Sequence, residues 1–347
     1  SRMVDKQASI LHEKRNVLWD NLLPFQKIGV EFLEAANCRG VLRDEMGLGK
    51  TIQALSLIRE NIERFTDNGT KYCIIVSPVG SIFNWQEETM KWLGLNKPES
   101  LDQLKYLPQV VYISKQKIAP FALILIVPWT RLGEKSFVEQ VKGKVGSLIV
   151  DEAHFFKNVD SARTRNLIEL IADSGKESPL IFMSGTLVEN RIMEMQTALN
   201  AIDPNYFYSS SVIDRMCIHS NQGKAIGLHP RWRPAFFERT SKYMIGRKKD
   251  EVNIPLPELE ITSEWIDPRE YKENAGFLQE YNLAGDEMAK ILRATRVDSG
   301  SLIGLMQQLR NYTGRMKILQ AAIWADNFLK NNPGEKLCIG VHHIGVR

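Results

Sequence analysis

One short stretch of the chain combines the residue types that bind a phosphate chain. Residues 41–58, VLRDEMGLGKTIQALSLI, pass from an apolar run through two glycines to a Lys-Thr pair that opens a helical pattern. Gly47 and Gly49 can adopt backbone angles that other residues avoid, so successive N–H groups can turn toward phosphate oxygens at a helix N-terminus. Lys50 is expected to reach the β- and γ-phosphates, and the Thr51 hydroxyl is expected to hold Mg²⁺.

The loop does not match the general pattern throughout. Asp44 stands where G-x-x-x-x-G-K-[ST] has its first glycine, and a glycine turn before an ordinary helix would give a similar string. Read as a phosphate loop, the segment predicts a set of ATP-contacting residues, which are Met46, Gly47, Leu48, Gly49, Lys50, Thr51 and Ile52.

A second stretch supplies paired acids where a predicted strand ends. The apolar run at 146–150 leads directly into Asp-Glu-Ala-His. Asp151 is expected to bind Mg²⁺, directly or through water, and Glu152 to polarise the water that attacks the γ-phosphorus. His154 is expected to respond to the nucleotide state. Alone, the motif could be an acidic helix start that complements the helix dipole, but a phosphate loop requires an acidic partner on a neighbouring strand.

The elements that would position these residues alternate along the chain. Short apolar runs are separated by longer helical patterns, which predicts an α/β fold with a mostly parallel sheet flanked by helices. The predicted strands are 38–43, 72–77, 109–114, 122–127, 147–151 and 180–184. Because open α/β sheets bind ligands at the carboxyl ends of their strands, Lys50, Asp151 and Ser184 are expected to converge there.

These motifs, taken in order, resemble a known family. DEMGLGKT, DEAH and the string FMSGTLVEN at 182–190 look like motifs I, II and III of helicase superfamily two, and are most similar to its Snf-type double-stranded-DNA translocases. Residues 22–33 are similar to that family's adenine-contacting segment, which implies that Gln26 contacts the base. Residues 74–88 resemble its motif Ia.

The resemblance extends through the rest of the chain. Residues 243–260, YMIGRKKDEVNIPLPELE, look like the signature at the end of the family's first lobe, although Gly246 stands where arginine is common. The tail, with LRNYTGRMKILQ and EKLCIGVHH, resembles the entry into the second lobe, closest to the annealing-helicase branch. A RecA-like P-loop lobe with ATP and Mg²⁺ as cofactors is what this resemblance implies. It also implies that Ser184, Gly185 and Thr186 couple the nucleotide to DNA, although Ser-Gly-Thr after a strand is also a common turn.

The resemblance implies duplex or forked DNA as the partner, held with little sequence preference through its phosphates. The residues at the matching strand ends are Ser77, Pro78, Gly80, Ser81, Trp129 and Thr130. Trp85 and Trp129 could instead be core residues, since Trp is usually largely buried. The basic and aromatic segment 224–249 fits either a polyanion-binding face or an amphipathic helix pair with solvated cations.

The domain organisation follows the same reading. We expect an N-terminal tail at 1–16, an ATP-binding lobe at 17–204, a helical extension with the end signature at 205–260, and a helical linker that starts a second lobe at 261–347. Within the last part, the pattern predicts helices at 268–292 and 298–331, followed by a strand at 336–342.

Composition limits the possible classes without selecting one. A formal net charge of +4 permits contact with a polyanion but does not by itself indicate DNA. The four cysteines form no C-x-x-C pair, so they predict reduced core thiols rather than disulfides or a structural metal site. The longest apolar run, 121–129, is too short to cross a bilayer. A cytosolic, nucleoid or nuclear location is expected.

Three classes of function remain in view. The first is a DNA-dependent ATPase of the Snf-type family, and the second is a non-catalytic, nucleotide-gated DNA-binding or regulatory module. An unrelated P-loop enzyme such as a nucleotide kinase has no reason to carry Gln26, DEAH and Ser-Gly-Thr together. The sequence ends at Arg347, before the second lobe's arginine motif. Because an arginine finger contributes roughly 10³–10⁵ in rate, this chain alone is expected to bind ATP, hydrolyse it weakly and not translocate.

Overall fold

The structure is a computed structural model. It describes residues 17–96, 101–157, 161–185, 192–204, 209–221, 223, 225–252, 261–263, 265, 267–293 and 299–341. The chain divides between residues 255 and 256 into two compact units. The first unit carries all the strands found in the described residues, and the second unit is helical where it is described.

A seven-stranded parallel sheet forms the centre of the first unit. Its strands are β1 (Arg39–Leu42), β2 (Tyr72–Ser77), β3 (Gln109–Val110), β4 (Ile124–Pro128), β5 (Val145–Val150), β6 (Leu180–Met183) and β9 (Met244–Ile245). Their order across the sheet is β3-β4-β2-β5-β6-β1-β9. The predicted α/β class with a mostly parallel sheet is thereby confirmed.

Both faces of this sheet are buried, which explains why its strands read as continuous apolar runs. Along β2, Ile74 and Val76 join one hydrophobic cluster and Cys73 and Ile75 join the other, on the opposite face. This alternation follows from the two-residue period of a strand. Helix residues pack in both clusters and so cover both faces of the sheet.

The helices of the first unit connect these strands. They are α1 (Val17–Asp20), α2 (Pro24–Ala35), α3 (Lys50–Glu60), α4 (Ile62–Phe65), α5 (Ile82–Trp92), α6 (Lys135–Val141), α7 (Ala162–Ser174), α8 (Ile192–Ile202), α9 (Ser210–Met216) and α10 (Arg233–Thr240). Helix α2 begins with proline at its first position, where the missing N–H costs nothing. Helix α3 begins after Gly49, which has the left-handed backbone conformation that favours glycine.

The structure corrects the predicted elements at the edges of the sheet. The strand predicted at 109–114 is only two residues long. Region 205–245, predicted to be helical, contains an antiparallel hairpin of β7 (Cys217–His219) and β8 (Ala225–Leu228) in addition to helices. It also contains β9, which pairs with β1 in the main sheet. Strands of two to four residues are too short for the alternation of side chains to be recognised in the sequence.

The second unit contains α11 (Ala275–Arg293), α12 (Ser299–Met316) and α13 (Ile318–Asn331). Two helices therefore occupy the region predicted as one, and they meet at Lys317. The strand predicted at 336–342 is wrong for residues 336–341, which are irregular, and His342 lies outside the described residues. A strand needs a neighbour for its backbone hydrogen bonds, and this unit has none among its described residues.

The cysteines agree only partly with the prediction of core thiols. All four are free, but only Cys38 and Cys73 are buried, whereas Cys217 is half-buried and Cys338 is exposed. Burial raises the pKa of Cys38 to about 11 and that of Cys73 to about 12. In the described part of the chain, no helix is long and apolar enough to span a membrane, and no His, Cys, Asp and Glu side chains cluster as metal ligands would.

Candidate functional site

The loop between β1 and α3 has the backbone shape expected of a phosphate cradle. Gly47 and Gly49 have φ angles of 91° and 74°, in the left-handed region that L-residues avoid. A Cβ on Gly49 would lie 2.5 Å from Gln26 Nε2, so a side chain at that position would displace Gln26 from the loop. The loop thus brings its backbone to the N-terminus of α3, the arrangement that binds anions.

Lys50 lies partly buried within this loop. Its ammonium donates to the carbonyl of Asp44 at 2.8 Å and to that of Glu45 at 3.4 Å. Burial lowers the pKa of Lys50, and the carboxylates of Glu152 and Asp151 act in the opposite direction. The phosphate-loop lysine and the paired acids, about a hundred residues apart in the sequence, therefore lie within each other's electrostatic field.

Asp151 is held in place by two tryptophans. Trp85 donates its indole N–H to Asp151 Oδ2 at 3.0 Å, and Trp129 donates its indole N–H to the Asp151 carbonyl at 2.9 Å. Both rings are buried, at 0% and 3% exposure, so the reading of them as core residues is correct. Burial raises the pKa of Asp151, the Trp85 hydrogen bond lowers it, and the charge of Glu152 raises it.

Glu152 adopts a conformation that is unusual for its residue type. Its φ angle is 49°, which costs of order 1–3 kcal/mol and is typical of functional sites. Its N–H donates to Asp151 Oδ1 at 2.9 Å. On its other side, Glu152 Oε2 lies 3.1 Å from His154 Nδ1. The three polar members of the DEAH string therefore form one contiguous group.

The end of β6 contacts the phosphate loop directly. A Cβ on Gly185 would lie 3.3 Å from Lys50 Nζ and 3.3 Å from the backbone nitrogen of Met46. Ser184 is buried, and its N–H donates to the carbonyl of Leu42 at 3.1 Å. The predicted third member, Thr186, lies outside the described residues. Gly185 thus lies beside Lys50, and Ser184 is tied to the end of β1. That these residues couple the nucleotide to DNA stays a prediction.

Gln26 is buried, in contrast to the ordinary exposed glutamine that its sequence context also permitted. Its side-chain oxygen accepts from the Leu23 N–H at 2.9 Å, and its amide nitrogen donates to the Leu48 carbonyl at 3.1 Å. It therefore ties the start of α2 to the phosphate loop. Its predicted contact with the adenine base stays a prediction.

Comparison with known proteins agrees with this geometry. The sequence profile of the family described as the SNF2-related domain matches residues 25–315. The chain belongs to the SNF2-related domain family. The family resemblance predicted from its motifs is thereby confirmed.

Individual relatives of this SNF2-family chain share about three tenths of their aligned residues with it. It is 31% identical over 190 residues to the SWI/SNF-related matrix-associated actin-dependent regulator of chromatin subfamily A-like protein 1 of Xenopus tropicalis, covering 55% of this chain and 18% of that protein. It is 27% identical over 336 residues to the DNA annealing helicase and endonuclease ZRANB3 of Homo sapiens, covering 94% and 29%. The chain thus spans about a fifth to three tenths of these relatives.

A solved structure confirms the fold. The Sulfolobus solfataricus SWI2/SNF2 ATPase core in complex with dsDNA superimposes with a TM-score of 0.51 at 16% identity, covering 86% of this chain and 60% of that one. At this identity the likeness supports the fold alone. It agrees with the RecA-like lobe predicted for the SNF2-family chain.

The residues predicted to contact DNA are not equally accessible. Ser77 is fully buried, and its hydroxyl lies 2.7 Å from that of Ser81. Trp129 cannot offer a donor to DNA, because its indole bonds to Asp151 and its backbone N–H donates to the Ser77 carbonyl at 3.1 Å. The inward-facing groups agree with the alternative reading of Trp129 as a core residue, and the contact of Ser77 and Trp129 with DNA stays a prediction. Gly80 and Thr130 are exposed at the same edge of the sheet, and Pro78 and Ser81 are half-buried there.

The sequence reasoning missed one set of residues at the site. The segment around β9, recognised only as an end signature, flanks the phosphate loop on the side opposite β6. Arg247 from this segment pairs with Asp44, with 3.2 Å between Nε and Oδ1, and Asp44 Oδ2 accepts from Gln53 Nε2 at 2.8 Å. The unexpected aspartate in the loop is therefore a fully buried anion with its own cation. One arginine and two lysines shortly after a short apolar pair were the only sequence signal.

Proposed function

We propose that this chain is the ATP-binding lobe of a DNA-dependent ATPase, and that the protein couples ATP hydrolysis to movement along duplex or forked DNA. One observation carries the proposal. Lys50, the Asp151–Glu152 pair and Gly185 come from three different strand ends and meet at one edge of the sheet. This is the edge at which open α/β folds bind nucleotides.

The residues present fit ATP and Mg²⁺. The left-handed glycines leave the loop backbone uncovered, and Lys50 has an ammonium beside it. Thr51 and Asp151 would supply oxygen ligands of the kind Mg²⁺ prefers. The metal would neutralise charge on the phosphate oxygens. The indole bond from Trp85 fixes the orientation of the Asp151 carboxylate.

Within this proposal, each acid has a separate task. Asp151 is half-buried and positioned by two indoles, which suits a ligand that must not move. Glu152 carries a strained backbone and sits between Asp151 and His154, which suits a general base that orients water. DNA would be held at the exposed strand-end turns of Gly80 and Thr130 through its phosphates, in the nucleus of a eukaryote or the nucleoid of a prokaryote.

The Glu152→Gln variant tests catalysis separately from binding. We expect it to bind Mg-ATP as the unmodified chain does, because the amide keeps the size of the carboxylate. Its ATP turnover should fall by about 10²–10⁴-fold, because the amide cannot accept a proton. Turnover with and without duplex DNA, together with calorimetric ATP binding, measures both quantities.

Glu139→Gln provides the matched control, since it makes the same change on an exposed position of α6. If the protein binds ATP and DNA but Glu152→Gln and the unmodified form hydrolyse ATP equally slowly, the second candidate is favoured. The protein would then be a nucleotide-gated binding module.

The Trp85→Phe variant tests the support of Asp151. Loss of the indole donor removes a hydrogen bond to the carboxylate and raises the pKa of Asp151 further, so Mg²⁺ should bind more weakly. Changes to groups that orient a metal ligand typically cost about 10–100-fold in metal affinity, and we expect an effect of this size in Mg²⁺ titrations at fixed ATP. Trp92→Phe is the control, because Trp92 lies on the same helix and bonds to Glu88 instead. Identical Mg²⁺ dependence in the two variants would contradict the proposed support of Asp151 by Trp85.

A further inference from the structure

The chain segment that follows β9 continues alongside the phosphate loop. The N–H groups of Val41, Arg43 and Glu45 donate to the carbonyls of Tyr243, Ile245 and Arg247, at 2.7, 2.8 and 2.9 Å. This regular ladder carries the pairing beyond the two residues of β9 and into the loop itself. The phosphate loop is therefore bordered by β6 on one side and by residues 243–249 on the other.

Two anchors fix the position of this border. Arg247 pairs with buried Asp44, donates to the Phe25 carbonyl, and stacks its guanidinium 5.5 Å from the Phe25 ring centre. Two residues further, the backbone N–H of Lys249 donates to Glu45 Oε2 at 2.8 Å. Lys249 is thus held against the loop by its backbone, which leaves its side chain available for another purpose.

The side chain of Lys249 lies over the cradle. A Cβ built on Gly47 would lie 3.6 Å from Lys249 Cε and 3.8 Å from its Nζ. Among the residues that the structure describes, no carboxylate forms an ion pair with this ammonium. By contrast, Lys50 bonds to loop carbonyls under the field of Glu152 and Asp151.

We infer that Lys249 is a second phosphate-binding lysine, which contacts the polyphosphate from the flank of the loop opposite the paired acids. The inference rests on the proposed ATP site and adds a specific residue to it. A phosphate chain in the cradle would replace solvent around the Lys249 ammonium with anionic oxygens, which gives a charge-assisted hydrogen bond. Lys50 and Lys249 would then hold the phosphates from two sides, while Glu45 keeps the Lys249 backbone in place.

The test compares Lys249→Gln and Lys249→Arg in the binding of Mg-ATP and of inorganic tripolyphosphate, measured by calorimetry. We expect Lys249→Gln to weaken both by about 5- to 30-fold, the range for a partly exposed hydrogen bond to a charged group. Lys249→Arg should retain most of the affinity, because it keeps the charge. Lys176→Gln, an exposed lysine in the loop before β6, should bind as the unmodified chain does.

The outcomes separate this inference from the proposed function. If the unmodified chain binds ATP and Lys50→Ala loses it, but Lys249→Gln binds normally, only the role of Lys249 is overturned. If the unmodified chain binds neither ATP nor tripolyphosphate, the proposed function fails and this inference fails with it. Thermal unfolding without nucleotide completes the test. A matching loss of stability in Lys249→Gln that arginine does not rescue would make Lys249 structural and overturn the inference.

Discussion

Replacing Lys50 by alanine should weaken ATP binding by about 30-fold to about 4,000-fold, equivalent to ~2–5 kcal/mol of binding free energy. This is the range expected when one partner of a close, desolvated charge pair is removed. It is the largest effect on ATP affinity that we expect from any single change in the nucleotide site.

The reason lies in the charges that surround this lysine. Its ammonium bonds to the loop carbonyls of Asp44 and Glu45 and lies in the electrostatic field of the acids Glu152 and Asp151. Without it, bound phosphates would face these carboxylates directly, and repulsion would add to the lost attraction. Burial already lowers the pKa of Lys50 because it disfavours the charged ammonium in the unliganded chain. A bound anionic ligand would reduce this energetic cost of burying the charge.

Isothermal calorimetry with Mg-ATP measures the effect. Lys176→Ala removes the same charge from an exposed loop at the amino ends of the strands, so its affinity should match that of the unmodified chain. Thermal unfolding without nucleotide verifies that Lys50→Ala is folded. Unchanged ATP affinity in a folded Lys50→Ala protein would remove the assignment of this loop as the nucleotide site.

The part of this site that is formed by residues close together in the chain could be predicted from the sequence. The glycines, Lys50 and Thr51 lie within a few residues of each other, and the acids directly follow an apolar strand. A parallel sheet then brings the strand ends together without any further information. For the same reason the α/β class and the central strands were predictable, since buried parallel strands are continuous apolar runs.

The remainder of the site depends on contacts between distant residues. Asp44 departs from the glycine of the general pattern, and its partner Arg247 lies about two hundred residues away, just after a strand of two residues. Gly246, where the family commonly has arginine, packs so closely that a Cβ would overlap Arg43 Cγ and lie 2.9 Å from the Arg43 carbonyl oxygen. Trp129 was predicted at the DNA surface because the sequence shows that it ends a strand but not which way its ring turns.

Removing the partner of Asp44 should strongly destabilise the first unit. The Arg247→Met variant leaves a carboxylate that is 0% exposed without its cation. Breaking a buried ion pair from one side costs ~3–5 kcal/mol. At about 2–4 °C per kcal/mol for a unit of this size, the melting temperature should fall by roughly 6–20 °C, which differential scanning calorimetry would detect.

A double-mutant cycle separates the ion pair from packing. Asp44→Asn alone leaves Arg247 with a neutral partner, and Gln53 can still donate to the amide oxygen. The double variant Asp44→Asn with Arg247→Met removes both charges and should be more stable than the sum of the single losses predicts. Strict additivity would mean that Arg247 acts through its contact with Phe25 and not through Asp44.

The pH dependence of stability independently distinguishes the two possible roles of Arg247, which are the ion pair with Asp44 and the packing contact with Phe25. Burial raises the pKa of Asp44 and Arg247 lowers it, so loss of Arg247 should raise that pKa further. A group whose pKa is raised in the folded state stabilises that state at low pH and loses this contribution as the pH rises through the folded pKa. The stability deficit of Arg247→Met should therefore shrink as the pH falls from neutrality toward the ordinary aspartate pKa of about 3.9, and the double variant should show no such recovery. If the loss of stability in Arg247→Met is the same across this pH range, Arg247 stabilises the fold through packing, because packing does not depend on the binding of protons.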